Sequence, residues 1–336
     1  MSAPLVLLDP LFADSDDAAA FERRSAEFGA YRLYAEHEQI QLEIGPSLLP
    51  RHDAVRNFLK TRVGTGDTAE SVAARTSYFR EEYAYGDRVL LEGVEAFRDH
   101  AGMIDAARRI HDRPVIEPAI VYANLFLPGQ ELAVHTDVPE FRGLNRKLVP
   151  QWLLVVMHHS GLFDAWRLPI ATGIAWFGAP DGGALVYWPA GPGGPAVHND
   201  AHHNTAAVLD TDTVFHGVER VGPAGAELPP LGVGSTLSAA PAGRMELRDA
   251  GGELVSTYAW DALRFSVSWK AYCFADERER DTWRDHSNDL TLDVVLDALA
   301  ADLGRRRGTD APIAGPELGI QLIDEYIRFP ESGTRN

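Results

Sequence analysis

The chain has 336 residues, 45% hydrophobic and 24% charged, proportions of an ordinary folded globular protein that can bury one large core. Its formal net charge of −18 argues against a nucleic-acid-binding surface, because phosphate contacts need clustered Lys and Arg. The single cysteine, Cys273, rules out an internal disulfide and a cysteine-built zinc site, and its apolar neighbours make a buried inert thiol the expectation.

In chain order, the apolar run 4–8 is too short, and the residues after it too acidic, for a signal peptide. No stretch reaches the roughly 20 apolar residues of a membrane span, so a cytoplasmic location with no membrane partner is expected. Residues 16–35, 51–63, 70–85 and 94–111 read as helices, the first capped by Ser15 or Asp16 and the last stopped by Pro114. From Val115 the texture changes to strands. Residues 119–127 form one, and the continuous apolar run 151–157 reads as a strand buried on both faces. Strands at 173–177 and 183–188 flank the turn signal Ala179-Pro180-Asp181-Gly182, and strand texture resumes at 206–221. A Gly/Pro-rich stretch, 223–243, precedes a hairpin with arms at 245–247 and 253–260, and 263–274 is the last strand. Helical patterns return at 276–284, 290–303 and 316–328. The expectation is one domain over 1–336, with a helical N-terminal part (1–114), a β core (115–275) and C-terminal helices (276–336). Short strands separated by turns indicate a sandwich or barrel.

His135-Thr136-Asp137 follows the strand at 119–127. On extended chain, residues i and i+2 point the same way, so His135 and Asp137 can offer an imidazole and a carboxylate to one point. A histidine from a distant strand would complete a 2-His-1-carboxylate set, which leaves positions on Fe(II) open. The same spacing recurs at His198-Asn199-Asp200, but in a loop with nothing to hold the side chains parallel. His202 and His203 extend that loop into a surface cluster, and His158 and His159 end the apolar run without a partner in sequence. His216 is the best distal candidate, although alone it would read as a structural histidine at a strand end. On the last strand, Leu263, Phe265, Val267, Trp269, Ala271 and Cys273 share one face, while Arg264, Ser266, Ser268, Lys270 and Tyr272 share the other. Arg264 and Ser266 thus project together, at the spacing of a guanidinium and hydroxyl that clamp a carboxylate.

In that order, His135-x-Asp137, His216 and Arg264-x-Ser266 resemble the Fe(II)/2-oxoglutarate-dependent dioxygenase superfamily over roughly 120–274. Gly182-Gly183-Ala184-Leu185-Val186-Tyr187 is also similar to the Gly-Gly strand of prolyl-hydroxylase-like members. The resemblance implies a double-stranded β-helix, or jelly roll, flanked by helices. It implies His135, Asp137 and His216 as iron ligands, Arg264 as the partner of the cosubstrate's distal carboxylate, and a hydrogen bond from Ser266. It further implies Fe(II), 2-oxoglutarate and O2 as cofactor and cosubstrates, with release of succinate and CO2, and no catalytic side chains beyond the metal ligands. An Asp at position 137 favours hydroxylation, desaturation or cyclisation over halogenation, for which related enzymes carry a small residue there. One departure is the step of 48 positions from His216 to Arg264, where the family uses about ten; an inserted loop and hairpin at 223–260 would account for it. Asn124 and Tyr122 share a strand face and are candidates to touch the cosubstrate. Trp152, Arg142 and Tyr187 are candidates for the pocket of a small-molecule substrate, with Arg142, Arg146 and Lys147 on a loop suited to an anionic one. Two alternatives stay open: an iron oxidase of the same fold that uses no 2-oxoglutarate, and a non-catalytic jelly-roll binding protein.

Overall fold

The computed structural model describes residues 5–34, 75–308 and 317–330, together with Asp53, Ala54 and Asn57. Its core is a pair of antiparallel sheets. The major sheet contains the run β12 (Thr205–Leu209), β9 (Ile170–Phe177), β17 (Arg264–Phe274) and β5 (Val115–Phe126). The minor sheet has the order β11 (Val197–Asn199), β10 (Leu185–Tyr187), β13 (His216–Val218) and β6 (Leu132–His135). Followed along the chain, β5, β9, β12 and β17 fall in the major sheet, while β6, β10, β11 and β13 fall in the minor one. The chain thus winds back and forth between two sheets, which is the double-stranded β-helix.

The outer faces of both sheets are apolar and covered by helices. Behind the major sheet, Phe265, Val267, Trp269 and Ala271 of β17 and Val121, Ala123 and Leu125 of β5 pack with Phe21 of α1 (Ser15–Glu27), Phe97 of α2 (Glu95–Arg98) and Met103 of α3 (Ala101–His111). Behind the minor sheet, Val186, Trp188 and Phe215 join α4 (Gln151–Ser160), α6 (Leu292–Arg307) and α7 (Leu318–Tyr326). Each large apolar side chain so buried contributes about 1.5–3 kcal/mol relative to exposure. Helix α5 (Glu277–Arg284) lies on β17, where Trp283 packs on Tyr272 and Phe274. Among the described residues, no helix is long and apolar enough to cross a membrane.

Several expected elements differ. Residues 151–157 are helical: Pro150 and Gly161, the latter left-handed at φ 69°, bracket ten residues of α4. An all-apolar run is equally a helix buried all round, and periodicity cannot separate the two. The helix expected at 70–85 is instead strand β3 (Tyr78–Tyr85) where it is described, with Phe79 and Tyr83 buried on its outer side. The helix expected at 16–35 stops at Glu27, and Ala30–Tyr34 is strand β2. Where it is described, the N-terminal part is therefore mixed, not helical. The single helix expected at 94–111 breaks at His100, whose Nδ1 accepts from the Met103 amide at 3.3 Å and starts α3. The helix expected at 51–63 lies outside the described residues apart from Asp53, Ala54 and Asn57.

The segment 223–260 explains the long step to Arg264. It builds β14 (Thr236–Ala240), β15 (Arg244–Arg248) and β16 (Leu254–Ala259), the last two being the expected hairpin. Strand β14 pairs with β2, and β2 with β3, which flanks β5. The insertion therefore lengthens the major sheet beyond β5 before the chain returns to its centre as β17. At the opposite edge, β1 (Leu5–Leu8) pairs with β12.

Candidate metal centre and anion pocket

His135 and His216 are direct cross-strand partners in the β6–β13 pair. Opposed positions bring Cβ atoms to about 4.5–5.5 Å, and the two ring centroids lie 4.5 Å apart. Asp137, two residues beyond His135 on the same face, is held by its backbone N–H donating to the Thr211 carbonyl at 2.8 Å. Its Oδ1 stands 3.6 Å from His135 Nε2 and 3.7 Å from His216 Nε2. One potential ligand atom from each of the three residues lies within 4.8 Å of the others. Thr136 points the other way, its hydroxyl 3.4 Å from His159.

The imidazoles are oriented from behind. His135 Nδ1 donates to the Ala133 carbonyl at 2.7 Å and His216 Nδ1 to the Val214 carbonyl at 2.9 Å. A carbonyl only accepts, so each Nδ1 carries the proton and each Nε2 lone pair faces the centre, as a metal-binding histidine requires. Burial, with His135 as neighbour, pushes the His216 imidazole down to about 4, so it is neutral at pH 7. For Asp137, burial works to raise the carboxyl, but the Lys270 ammonium and the two histidines hold it well below the usual carboxylate range. Two imidazoles that turn Nε2 to the centre and a carboxylate on one side of a point form a donor set that fits a divalent iron.

Lys270 carries a role that its sequence context does not announce. Its Nζ donates to Asp137 Oδ2 at 2.7 Å and to Thr172 Oγ1 at 3.0 Å. That leaves Oδ1 as the Asp137 oxygen facing the histidines. Lys270 sits on the polar face of β17 named above, but nothing local in the sequence reveals that β17 passes the end of β6.

On the same face, Arg264 is 1% exposed. Its Nε donates to the Gly183 carbonyl at 2.6 Å and its Nη1 to Ser266 Oγ at 3.1 Å. Among the described residues no carboxylate lies within ion-pair distance, and burial alone pushes its guanidinium down to about 9. A buried cation without a counter-charge is costly, and an anion seated beside it would remove the cost. Asn124 lies across from Ser266 and donates through Nδ2 to Ser268 Oγ at 2.9 Å, leaving its Oδ1 buried without a partner. Tyr122, next on that face, lies under the guanidinium of Arg80.

The remaining candidates separate. Tyr187 is the cross-strand partner of His216 on β10 and half-buried. Trp152 belongs to the buried apolar cluster that α4 forms with Val186, Trp188 and Phe215 of the minor-sheet side. Arg142 is buried and donates through Nη2 to the Ala165 carbonyl at 2.6 Å, with its Nε left without a partner. Of the basic loop, Arg146 reaches the Tyr34 hydroxyl and Lys147 the Tyr85 hydroxyl. His198 lies on β11, 2.9 Å from the Glu219 carboxylate, in a separate environment from the triad.

No protein-family model and no curated protein matches the chain. Solved structures similar to it include an oxidoreductase of the 2OG-Fe(II) oxygenase family from Burkholderia pseudomallei, at 13% identity and TM-score 0.40 over 80% of this chain and 84% of that one. A Pseudomonas putida prolyl-4-hydroxylase matches at 11% identity and TM-score 0.40 over 81% and 94%. HygX from Streptomyces hygroscopicus, with nickel, 2-oxoglutarate and hygromycin B bound, matches at 10% identity and TM-score 0.40 over 81% and 83%. Likeness at this level leaves the chemistry to be decided by the side chains of the site.

Proposed function

We propose that the chain is a non-heme Fe(II)/2-oxoglutarate-dependent oxygenase that oxidises a C–H bond of a small molecule. The observation that carries this reading is the pairing of His135, Asp137 and His216 with a buried guanidinium, Arg264, on the same interior face, which among the described residues has no carboxylate within ion-pair distance. The triad would hold the iron through His135 Nε2, Asp137 Oδ1 and His216 Nε2. When bound, Fe(II) supplies O2 activation coupled to oxidative decarboxylation of 2-oxoglutarate to succinate and CO2.

The chain's own residues place and exclude. Arg264 and Ser266 would take the distal carboxylate of the cosubstrate through a guanidinium fork and a hydroxyl, which fixes how deep the molecule sits. Gly183, in the segment that leads into β10, holds the Arg264 side chain through its carbonyl. Asn124 supplies an unused acceptor along the way. Lys270 pins one oxygen of Asp137, so the carboxylate presents the other. The Asp at this ligand position favours hydroxylation, desaturation or cyclisation over halogenation.

Two measurements test this. Anaerobic addition of Fe(II) and 2-oxoglutarate should give the weak visible charge-transfer band of the chelate. In air, the protein should form succinate, and His135→Ala should abolish both signals. Iron binding without the band would favour an oxidase that uses Arg264 for a substrate carboxylate. Equal succinate from His135→Ala would sink the assignment.

A further inference from the structure

Two of the three candidate ligands are held by one short loop, residues 210–214, between β12 and β13. Its Thr211 carbonyl accepts the Asp137 backbone N–H at 2.8 Å, and its Val214 carbonyl accepts His216 Nδ1 at 2.9 Å. The loop also reaches the Asp137 carboxylate by a longer route. Thr211 Oγ1 lies 2.6 Å from Thr172 Oγ1, which accepts from the Lys270 ammonium that donates to Asp137 Oδ2. His135 is independent of this loop, since its Nδ1 donates within its own strand to Ala133.

Asp210 fixes the loop from both its backbone and its side chain. Its carbonyl accepts the amides of Thr213 at 3.3 Å and Val214 at 2.9 Å, which turns the Val214 carbonyl toward the site. Its carboxylate accepts from Thr213 Oγ1 at 2.9 Å and from Arg167 Nη2, which stands 3.0 Å from Oδ1 and 3.1 Å from Oδ2. Both partners of this ion pair are only 17% exposed, so water screens it weakly. Arg167 comes from β8 (Arg167–Leu168), which pairs with β7 (Glu140–Phe141), the segment just after Asp137. The contacts close a ring. From Asp137 the chain runs to β7, crosses to β8, passes through Arg167 to Asp210, and returns by Thr211 to the Asp137 amide.

We propose that Asp210 and Arg167 are positioning residues of the metal centre, setting the orientation of Asp137 and His216 through the loop between them. Neither touches the three ligands directly; they act through carbonyls and hydroxyls that do. Groups that orient metal ligands from behind are worth about 10–100-fold in metal affinity when they are lost. That this loop serves a metal rests on the oxygenase reading, whereas its hold on the Asp137 amide does not.

Calorimetric titration of the metal-free full chain with Ni(II) tests the proposal, together with residue-resolved hydrogen exchange of the same chain without metal. Asp210→Asn keeps the shape of the side chain and removes its charge. It should weaken Ni(II) binding by about tenfold or more and speed exchange of the Asp137 amide by about tenfold, while the amides of β5 and β17 exchange as in wild type. Arg167→Lys, which keeps the charge without the planar fork, should fall between. Tyr31→Phe is the control for general destabilisation: it removes a buried hydrogen bond to the Ser25 carbonyl behind the major sheet, and should leave Ni(II) affinity within about twofold. Should Asp210→Asn fail to fold, Thr213→Val gives the same test with a loss of about threefold, as for one hydrogen bond. The positioning role is overturned if these variants bind Ni(II) as wild type, if Tyr31→Phe weakens binding as much, or if exchange at Asp137 is unchanged. Should wild type bind no Ni(II) while Asp210→Asn still frees the Asp137 amide, the oxygenase reading falls and the hold of the loop on Asp137 stands. Wild-type binding with unaltered variants overturns the positioning role alone.

Discussion

Asp137 faces two demands, since one oxygen points at two imidazole lone pairs and the other is tied to Lys270. Without a metal, Lys270 is the cation that keeps this partly buried carboxylate ionised: burial disfavours the ammonium, yet Asp137 holds its pKa above the usual lysine range. Lys270→Met should therefore destabilise the metal-free chain by about 2–3 kcal/mol, below the full cost of breaking a buried pair because the side chains keep 18% and 22% exposure. A divalent ion then supplies the missing charge, so saturating Ni(II) should raise the melting temperature of Lys270→Met more than that of wild type. A smaller metal-induced shift in the variant would count against this role. The same residues show what a sequence exposes. Strand alternation alone puts Arg264, Ser266, Ser268 and Lys270 on one face, and the paired sheets keep them there. That Lys270 meets Asp137 depends on how β17 crosses the end of β6, a distance of 133 positions that no local pattern encodes.

Elements position these side chains through a few close approaches. Gly183, at φ +72°, begins the segment leading into β10, and a Cβ there would lie 2.6 Å from Arg264 Cδ. Its carbonyl is also the acceptor for Arg264 Nε. Gly183→Ala should thus push the guanidinium out of line and strain the backbone, weakening 2-oxoglutarate binding by about tenfold while Ni(II) affinity changes less than about twofold. Calorimetry with each ligand checks this, and unchanged 2-oxoglutarate affinity would refute the coupling. Elements are less legible than faces. The Arg and Glu of β3 favour a helix locally, but Phe79 and Tyr83 have a core to fill on one side and β5 offers the strand a partner. Context of this kind overrides propensity in strands. The run 151–157 misleads for the opposite reason: with every residue but the first apolar, it carries no period to read. By contrast, Asp249-Ala250-Gly251-Gly252 marks its hairpin correctly, because the Asp249 carboxylate accepts from the Gly251 and Glu253 amides and closes the turn through its own side chain.

Across the whole molecule, helices cover the outer apolar faces of both sheets, which frees part of the interior between them for charge. That interior sets the pH response of the metal-free chain. Burial pushes His216 down to about 4 and His158 down to about 3, so the unfolded chain binds more protons than the native one from there up to about 6.5. Those two groups make stability rise with pH across that window and fall as it is acidified. Asp212 works the other way. It is fully buried with neither oxygen hydrogen-bonded, and burial raises its carboxyl to about 7 despite Arg167 at 3.7 Å. Between the ordinary Asp value near 3.8 and about 7 the native state holds the extra proton, so this group's contribution falls as pH rises. Asp212→Asn keeps the shape and removes the titration. Its stability relative to wild type should improve from pH 4 to pH 8 by a swing on the order of 4 kcal/mol, since each pH unit across that window is worth about 1.36 kcal/mol. Urea unfolding of both chains at the two pH values, with metal removed, measures the swing. A difference that stays flat would mean that Asp212 is ionised throughout, in which case Arg167 outweighs burial. The interior would then tolerate a second buried carboxylate beside the triad without protonating it.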